Sequence, residues 1–353
     1  MKRILTTIFS VLAFVVLCSH DMFLKFDSYF LEPNTQAVLQ LYNGTFTKSD
    51  NVIDRDRMLD VSLVGNGNRI KVDSSQWFEK DSITFLNFKT GQPGTWVAGV
   101  STAARDIELK AEDFNKYLEN DGVLDVLENR KTTNTLNTDA VEKYAKHVKS
   151  IFQVGEERSN DWNTNLGYPI EFIPLQNPYN RHEGHKLEFR LLYNGTPLPN
   201  QLVYVGRPAK GNASEVHSHD NEEKKSHTHN NEEASDHEHD VTEQFRTDEN
   251  GIVSVDIDTQ GIWFLRSIHM VASKEEGLTH ESNWATLTFA VGSGNEENHT
   301  HGDEEHEHGS DTHTHDDESQ DHDHEDDGFP TIIFWLGSIL MVAALFYWFN
   351  RKK

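Results

Sequence analysis

The sequence predicts a mainly β protein: two immunoglobulin-like β-sandwich domains with a helical insertion, followed by a C-terminal transmembrane helix. Three observations carry this. Short apolar-alternating runs recur between turn residues, one internal stretch changes to helical spacing, and the final apolar run is long and uncharged.

The N-terminal element, 1–19, reads as a secretory signal. Lys2 and Arg3 precede an uncharged apolar run, 4–18, that is too short for a comfortable membrane span. Cleavage after Ser19 leaves His20 and Asp21 at the new terminus. Lipid attachment at Cys18 is the competing reading, disfavoured by the bulk of Leu17 just before it.

The first sandwich, 20–155, is expected from the runs 37–42, 61–64, 82–88 and 95–100. The first ends at Asn43-Gly44 and the second at Gly65-Asn66-Gly67, both turn signals. Within it, about 111–150 is expected to be a helical insertion. Phe114, Tyr117 and Leu118 share one helical face. Val141, Tyr144, Ala145, Val148 and Phe152 then recur at helical spacing behind Asp139 and Glu142, placed as a capping box.

The second sandwich, 168–291, is expected from the runs 169–173, 186–193, 201–205, 251–257, 261–269 and 284–289. Two polar segments interrupt or follow it, a loop at 212–240 and a linker at 294–328. Neither carries enough apolar surface to form a core, so both are expected to be disordered without a ligand. The run 329–349 is long enough to cross a bilayer. Trp335, Tyr347 and Trp348 are its interfacial aromatics, and the tail 350–353 carries Arg351, Lys352 and Lys353. Positive residues stay inside, which predicts a single-pass protein of the cell membrane with its bulk extracytoplasmic, periplasmic in a Gram-negative host.

The formal charge of -26, with no compensating basic patch, excludes a nucleic-acid partner and favours cations. The single cysteine, Cys18, lies in the signal, so the mature chain has no disulfide and no thiolate ligand. Any metal must be held by nitrogen and oxygen.

Histidine supplies the nitrogen. Of 20 histidines, fourteen form seven His-x-His pairs in the two polar segments. The loop holds His217 and His219, His227 and His229, and His237 and His239. The linker holds His299 and His301, His306 and His308, His313 and His315, and His322 and His324. Neutral imidazole suits zinc, nickel, cobalt and copper, and the intervening carboxylates add oxygen ligands. On a flexible chain such pairs give fast exchange and poor discrimination between metals. A solvated spacer and a pH sensor are the competing uses of the same composition.

Six histidines lie elsewhere. His20 offers an imidazole and an α-amino group. His269 ends an expected central strand, and His280 lies in the loop that follows. His182 and His185 occupy a turn at i, i+3 spacing, and His147 flanks the helical stripe as a surface residue. No Gly-x-Ser-x-Gly elbow, His-Glu-x-x-His helix or phosphate loop is present, so no enzyme is predicted.

Several segments together carry a resemblance: 20–24 (His-Asp-Met-Phe-Leu), 144–149 (Tyr-Ala-Lys-His-Val-Lys), 177–179 (Asn-Pro-Tyr), 195–198 (Gly-Thr-Pro-Leu), 247–251 (Thr-Asp-Glu-Asn-Gly), 261–263 (Gly-Ile-Trp), 269–270 (His-Met) and 284–289 (Trp-Ala-Thr-Leu-Thr-Phe). Their order resembles the DUF4198 family of periplasmic proteins, often labelled NikM-like components of nickel or cobalt uptake. The resemblance implies a two-sandwich periplasmic protein connected with nickel or cobalt transport, with His20 and His269 at matching polar positions. Met22 and Phe23 depart from the family's aromatic pair, and the His-rich segments are additions that resemble tracts in zinc-uptake proteins.

The function expected is therefore membrane-anchored capture of zinc, nickel or cobalt, with copper as a further candidate, for delivery to a membrane metal transporter. The rivals are a structural or adhesive surface module with solvated His-rich spacers, and a copper enzyme using the N-terminal histidine.

Overall fold

The computed structural model describes residues 21–208 and 241–292. The expected signal, His20, the fourteen paired histidines and the expected membrane span 329–349 lie outside the described residues. Among the described residues no helix is long and apolar enough to cross a membrane.

In chain order the first strands are β1 (Asp21–Lys25), β2 (Phe30–Leu31), β3 (Gln36–Gly44), β4 (Met58–Gly65), β5 (Asn68–Lys71), β6 (Trp77–Lys80), β7 (Ile83–Lys89), β8 (Gly94–Thr102) and β9 (Arg105–Leu109). Two helices follow, α1 (Ala111–Asn120) and α2 (Leu124–Thr132). Strands resume with β10 (Ala140–Val154), β11 (Ile170–Pro174), β12 (Lys186–Tyr193), β13 (Thr196–Pro197) and β14 (Leu202–Arg207). The last are β15 (Val241–Arg246), β16 (Ile252–Asp256), β17 (Gly261–Ala272) and β18 (His280–Val291). The mainly β expectation holds.

A ten-stranded sheet runs β15-β14-β17-β18-β10-β8-β4-β5, with β2 and β9 also pairing with β10. It therefore takes strands from both halves of the chain, joined where β10 pairs in parallel with β18. The two faces of this sheet are covered differently, because successive side chains of a strand point to opposite sides. On one face lie the sheet β1-β3-β7-β6 and the helices. There Thr286 Oγ1 donates to the carbonyl of Met22 (2.7 Å). Ile268, Met270 and Trp284 pack with Phe114, Tyr117 and Leu118 of α1. On the other face lies the sheet of β11, β12, β13 and β16, tied down by Lys149 Nζ donating to Glu171 Oε2 (3.0 Å).

The helical expectation for 140–150 is corrected. Only α1 and α2 are helical within that insertion, and 140–154 forms the central strand β10. Tyr144, Val148 and Phe152 recur every fourth residue, a spacing that places them on one face of a helix and equally on one face of a strand. With both faces covered, apolar residues appear at odd positions too, and the pattern loses its period of two. Asp139 does serve a helix, but a distant one: its Oδ1 accepts from the backbone N–H of Ala111 (2.9 Å), at the start of α1. Glu142 is buried and hydrogen-bonded to Tyr117 and Ser282 rather than completing a capping box.

Candidate functional site

His269 lies on β17 on the face toward the sheet of β11 and β12, its ring 4.5 Å from that of Tyr193. Its Nδ1 is 2.9 Å from Gln201 Oε1. The Gln201 side-chain nitrogen donates to the carbonyls of Ile268 (3.0 Å) and Leu202 (3.4 Å), so its oxygen is the acceptor. The proton of His269 therefore sits on Nδ1, leaving the Nε2 lone pair for a ligand. Burial lowers its pKa and keeps the ring neutral. A metal-ligating histidine is commonly oriented in this way by its second nitrogen.

Asp21, the first described residue, lies on the other side of the sheet. It pairs with Arg266 (3.2 Å), which also donates to the carbonyl of Asp121 (3.0 Å). Arg266 and His269 are three residues apart on β17 and point to opposite faces, so the sheet separates Asp21 from His269. His280 is likewise on the far face, its ring 4.9 Å from Phe114 and its pKa lowered by burial.

His147, expected at the surface, is 3 % exposed. Its Nδ1 is 2.9 Å from Ser101 Oγ and its Nε2 is 3.2 Å from Asn283 Oδ1. Asn283 is the register partner of His269. His147, Asn283 and His269 thus form a polar row across β10, β18 and β17, on one face. Burial pushes His147 down to about 4, so it too is neutral at pH 7. The sequence marked His269 but not its link through Asn283 to His147, which comes from the parallel pairing of β10 with the remote β18.

Across the sheet a second polar group is buried under α1. Glu142 accepts from Tyr117 Oη (3.1 Å) and from Ser282, and desolvation pushes it up to about 7. Lys146 donates to Asn43 Oδ1 (3.0 Å) and lies over the Trp284 ring, its pKa pushed down to about 8 by burial.

The His-rich segments have roots in the described body. The chain leaves β14 after Arg207 and returns at Val241, and these two residues pair in register. Gly206 pairs with Phe264, and Gly261 pairs with Val291 at the end of β18. The roots of the loop on β14 and β15 and of the linker on β18 therefore lie at the same end of one sheet, with β17 between them. Arg207 is held there by an ion pair with Asp258 and lies over the Trp263 ring.

Among the described residues, no group of three or more His, Cys, Asp or Glu side chains is placed to hold a metal ion. Single imidazoles and one pair, His182 with His185, are what the folded body offers.

A family model described as a domain of unknown function (DUF4198) matches residues 17–271. No curated protein matches the chain. Solved structures give only distant likenesses. Trypsin-activated alpha-2-macroglobulin from Escherichia coli aligns at 9% identity over 77% of this chain and 15% of that one, with a TM-score of 0.19. The Yersinia pseudotuberculosis adhesin InvE aligns at 12% identity over 77% and 59%, with a TM-score of 0.17. A DUF4785 family protein from Legionella pneumophila aligns at 10% identity over 69% and 50%, with a TM-score of 0.19. The chain spans less than two thirds of each, and scores this low carry no argument.

Proposed function

This chain belongs to the DUF4198 family, and from that premise we propose that it is a membrane-anchored, extracytoplasmic metal-binding protein. In this reading it captures divalent zinc, nickel or cobalt, with copper as a further candidate, and assists their uptake or handling. It is a binding protein rather than an enzyme. A NikM-like role beside a membrane metal transporter is the setting we favour. The body is read as two immunoglobulin-like sandwiches fused through the ten-stranded sheet.

One observation supports this reading above the rest. The loop with three His-x-His pairs and the linker with four are rooted at the same end of one sheet. Two acidic, imidazole-rich segments tethered so close raise each other's effective concentration around an ion. The neutral, oriented His269 is the folded ligand nearest to a metal-ready state.

The test is metal content, by mass spectrometry, of the full chain purified in detergent. It is compared with a chain in which the fourteen tract histidines are replaced by asparagine. Loss of most bound zinc, nickel or cobalt in the replaced chain supports the reading, and equal content in the two overturns it.

A further inference from the structure

His182 and His185 stand apart from the tracts and from the row around His269. We propose that they form a separate two-imidazole site for a divalent late transition ion, at the end of the body where the loop 209–240 is rooted.

The turn that carries them is built rather than loose. The backbone N–H of His185 donates to the carbonyl of His182 (3.2 Å), closing the turn around Gly184, whose φ of 87° suits glycine. Two further backbone bonds strap it to the strand end opposite: Gly184 N–H to the Ile257 carbonyl (2.8 Å) and Ile257 N–H to the His185 carbonyl (2.9 Å). With both Cα positions fixed, the two rings meet edge to face, their centroids 4.0 Å apart. A single ion can be reached by both after small side-chain rotations.

The Nδ1 atom of His185 has one acceptor and one donor beside it. His185 Nδ1 lies 3.2 Å from the carbonyl oxygen of His182. Donation of its proton there leaves the lone pair on Nε2, the usual arrangement for a metal-bound imidazole. The His182 backbone N–H also donates to the same nitrogen (3.3 Å), a contact that the Nε2-ligating tautomer has to give up.

Position adds the functional sense. Ile257, to which the turn is strapped, is flanked by Asp256 and Asp258, and Asp258 pairs with Arg207 at the foot of the loop. Two protein nitrogens with water completing the shell bind more weakly than a three- or four-ligand site. Copper(II), at the head of the divalent affinity order, is the most sensitive probe.

The experiment uses the full chain with the fourteen tract histidines replaced, titrated with copper(II) chloride and followed by electron paramagnetic resonance. The same titration is run after His182→Asn and His185→Asn together, with circular dichroism confirming the fold. One equivalent, showing nitrogen splitting, is expected to weaken at least about tenfold on the double replacement, while any ion held at other histidines is unchanged. An identical count and affinity in the two proteins, or no copper bound by either, overturns the proposal. Failure of the tract reading shows elsewhere, as equal metal content of the intact and tract-replaced chains.

Discussion

Lys149 and Glu171 form an ion pair of 3.0 Å with side chains only 1% and 2% exposed, joining the central strand β10 to β11 across the layer boundary. Neither end is left wanting. Lys149 also donates to the carbonyls of Thr164 (2.9 Å) and Phe172 (3.0 Å). Glu171 accepts from the backbone N–H groups of Leu166, Gly167 and Tyr168.

Removing one partner leaves the other charge buried. Lys149→Met and Glu171→Leu are each expected to cost about 3–5 kcal/mol. Urea unfolding of the two single variants and the double variant measures this. The double variant should lose less than the sum of the singles, and simple additivity would show that the pair is not coupled.

Glu142 and His147 are expected to pull stability in opposite directions as pH changes. Glu142 is raised from 4.5 to about 7 in the folded state. The folded protein therefore holds a proton that the unfolded chain has lost, and stability falls as pH rises through that window. His147 is lowered from 6.5 to about 4, so the unfolded chain binds the extra proton and stability rises with pH over its window. Each full proton is worth about 1.4 kcal/mol per pH unit, so between about pH 5 and 6 the two nearly cancel. Glu142→Gln should leave a rising slope and His147→Gln a falling one. Denaturation midpoints at pH 5 and 6 read the slopes, and parallel profiles for the two variants would contradict the assignment.

Besides its apolar packing, the helical insertion makes one very close contact with β14. Tyr204 Oη donates to the carbonyl of Gly122 (2.9 Å), and a Cβ at Gly122, where φ is 71°, would stand 2.0 Å from that oxygen. Gly122→Ala is expected to cost about 1–3 kcal/mol. Thermal unfolding checks this; because the ring carbons Cζ and Cε2 would also lie 2.3 and 2.8 Å from the new Cβ, Tyr204→Phe in the same background should not restore the loss.

Gln201 is expected to act on metal binding through His269. Gln201→Leu removes the acceptor that holds the Nδ1 proton. Metal held at His269 in the tract-replaced chain should weaken about tenfold to a hundredfold, and His269→Asn should abolish it. Competition titration with a chromophoric chelator measures the affinities. Unchanged binding in His269→Asn would remove this residue from the set of ligands.

Most strands were legible because their runs alternate and stop at turn residues. The expected run 186–193 is β12 itself, and 261–269 and 284–289 lie within β17 and β18. The first half of the helical insertion was legible from Phe114, Tyr117 and Leu118, which are buried together. β10 was not, because a strand covered on both faces loses its alternation and its fourth-residue repeat imitates a helix. The buried polar groups on both faces of β10 were hidden for a related reason. Lys146, His147 and Lys149 look like surface residues in a linear sequence. Their burial is made tolerable by Asn43, Asn283 and Glu171, which are remote along the chain.

The first strand is held by the last. Carbonyls of Met22 and Leu24 accept from Thr286 and Thr288, and β10 has β18 as its parallel neighbour. A chain made from its N-terminus therefore cannot close its core until residue 291 has emerged. Until then the carbonyls of Met22 and Leu24 lack these threonine donors, and one edge of β10 lacks its long neighbour β18. Such distant pairing makes for slow closure, and a stop codon before β18 would yield an open polypeptide rather than a shorter folded protein.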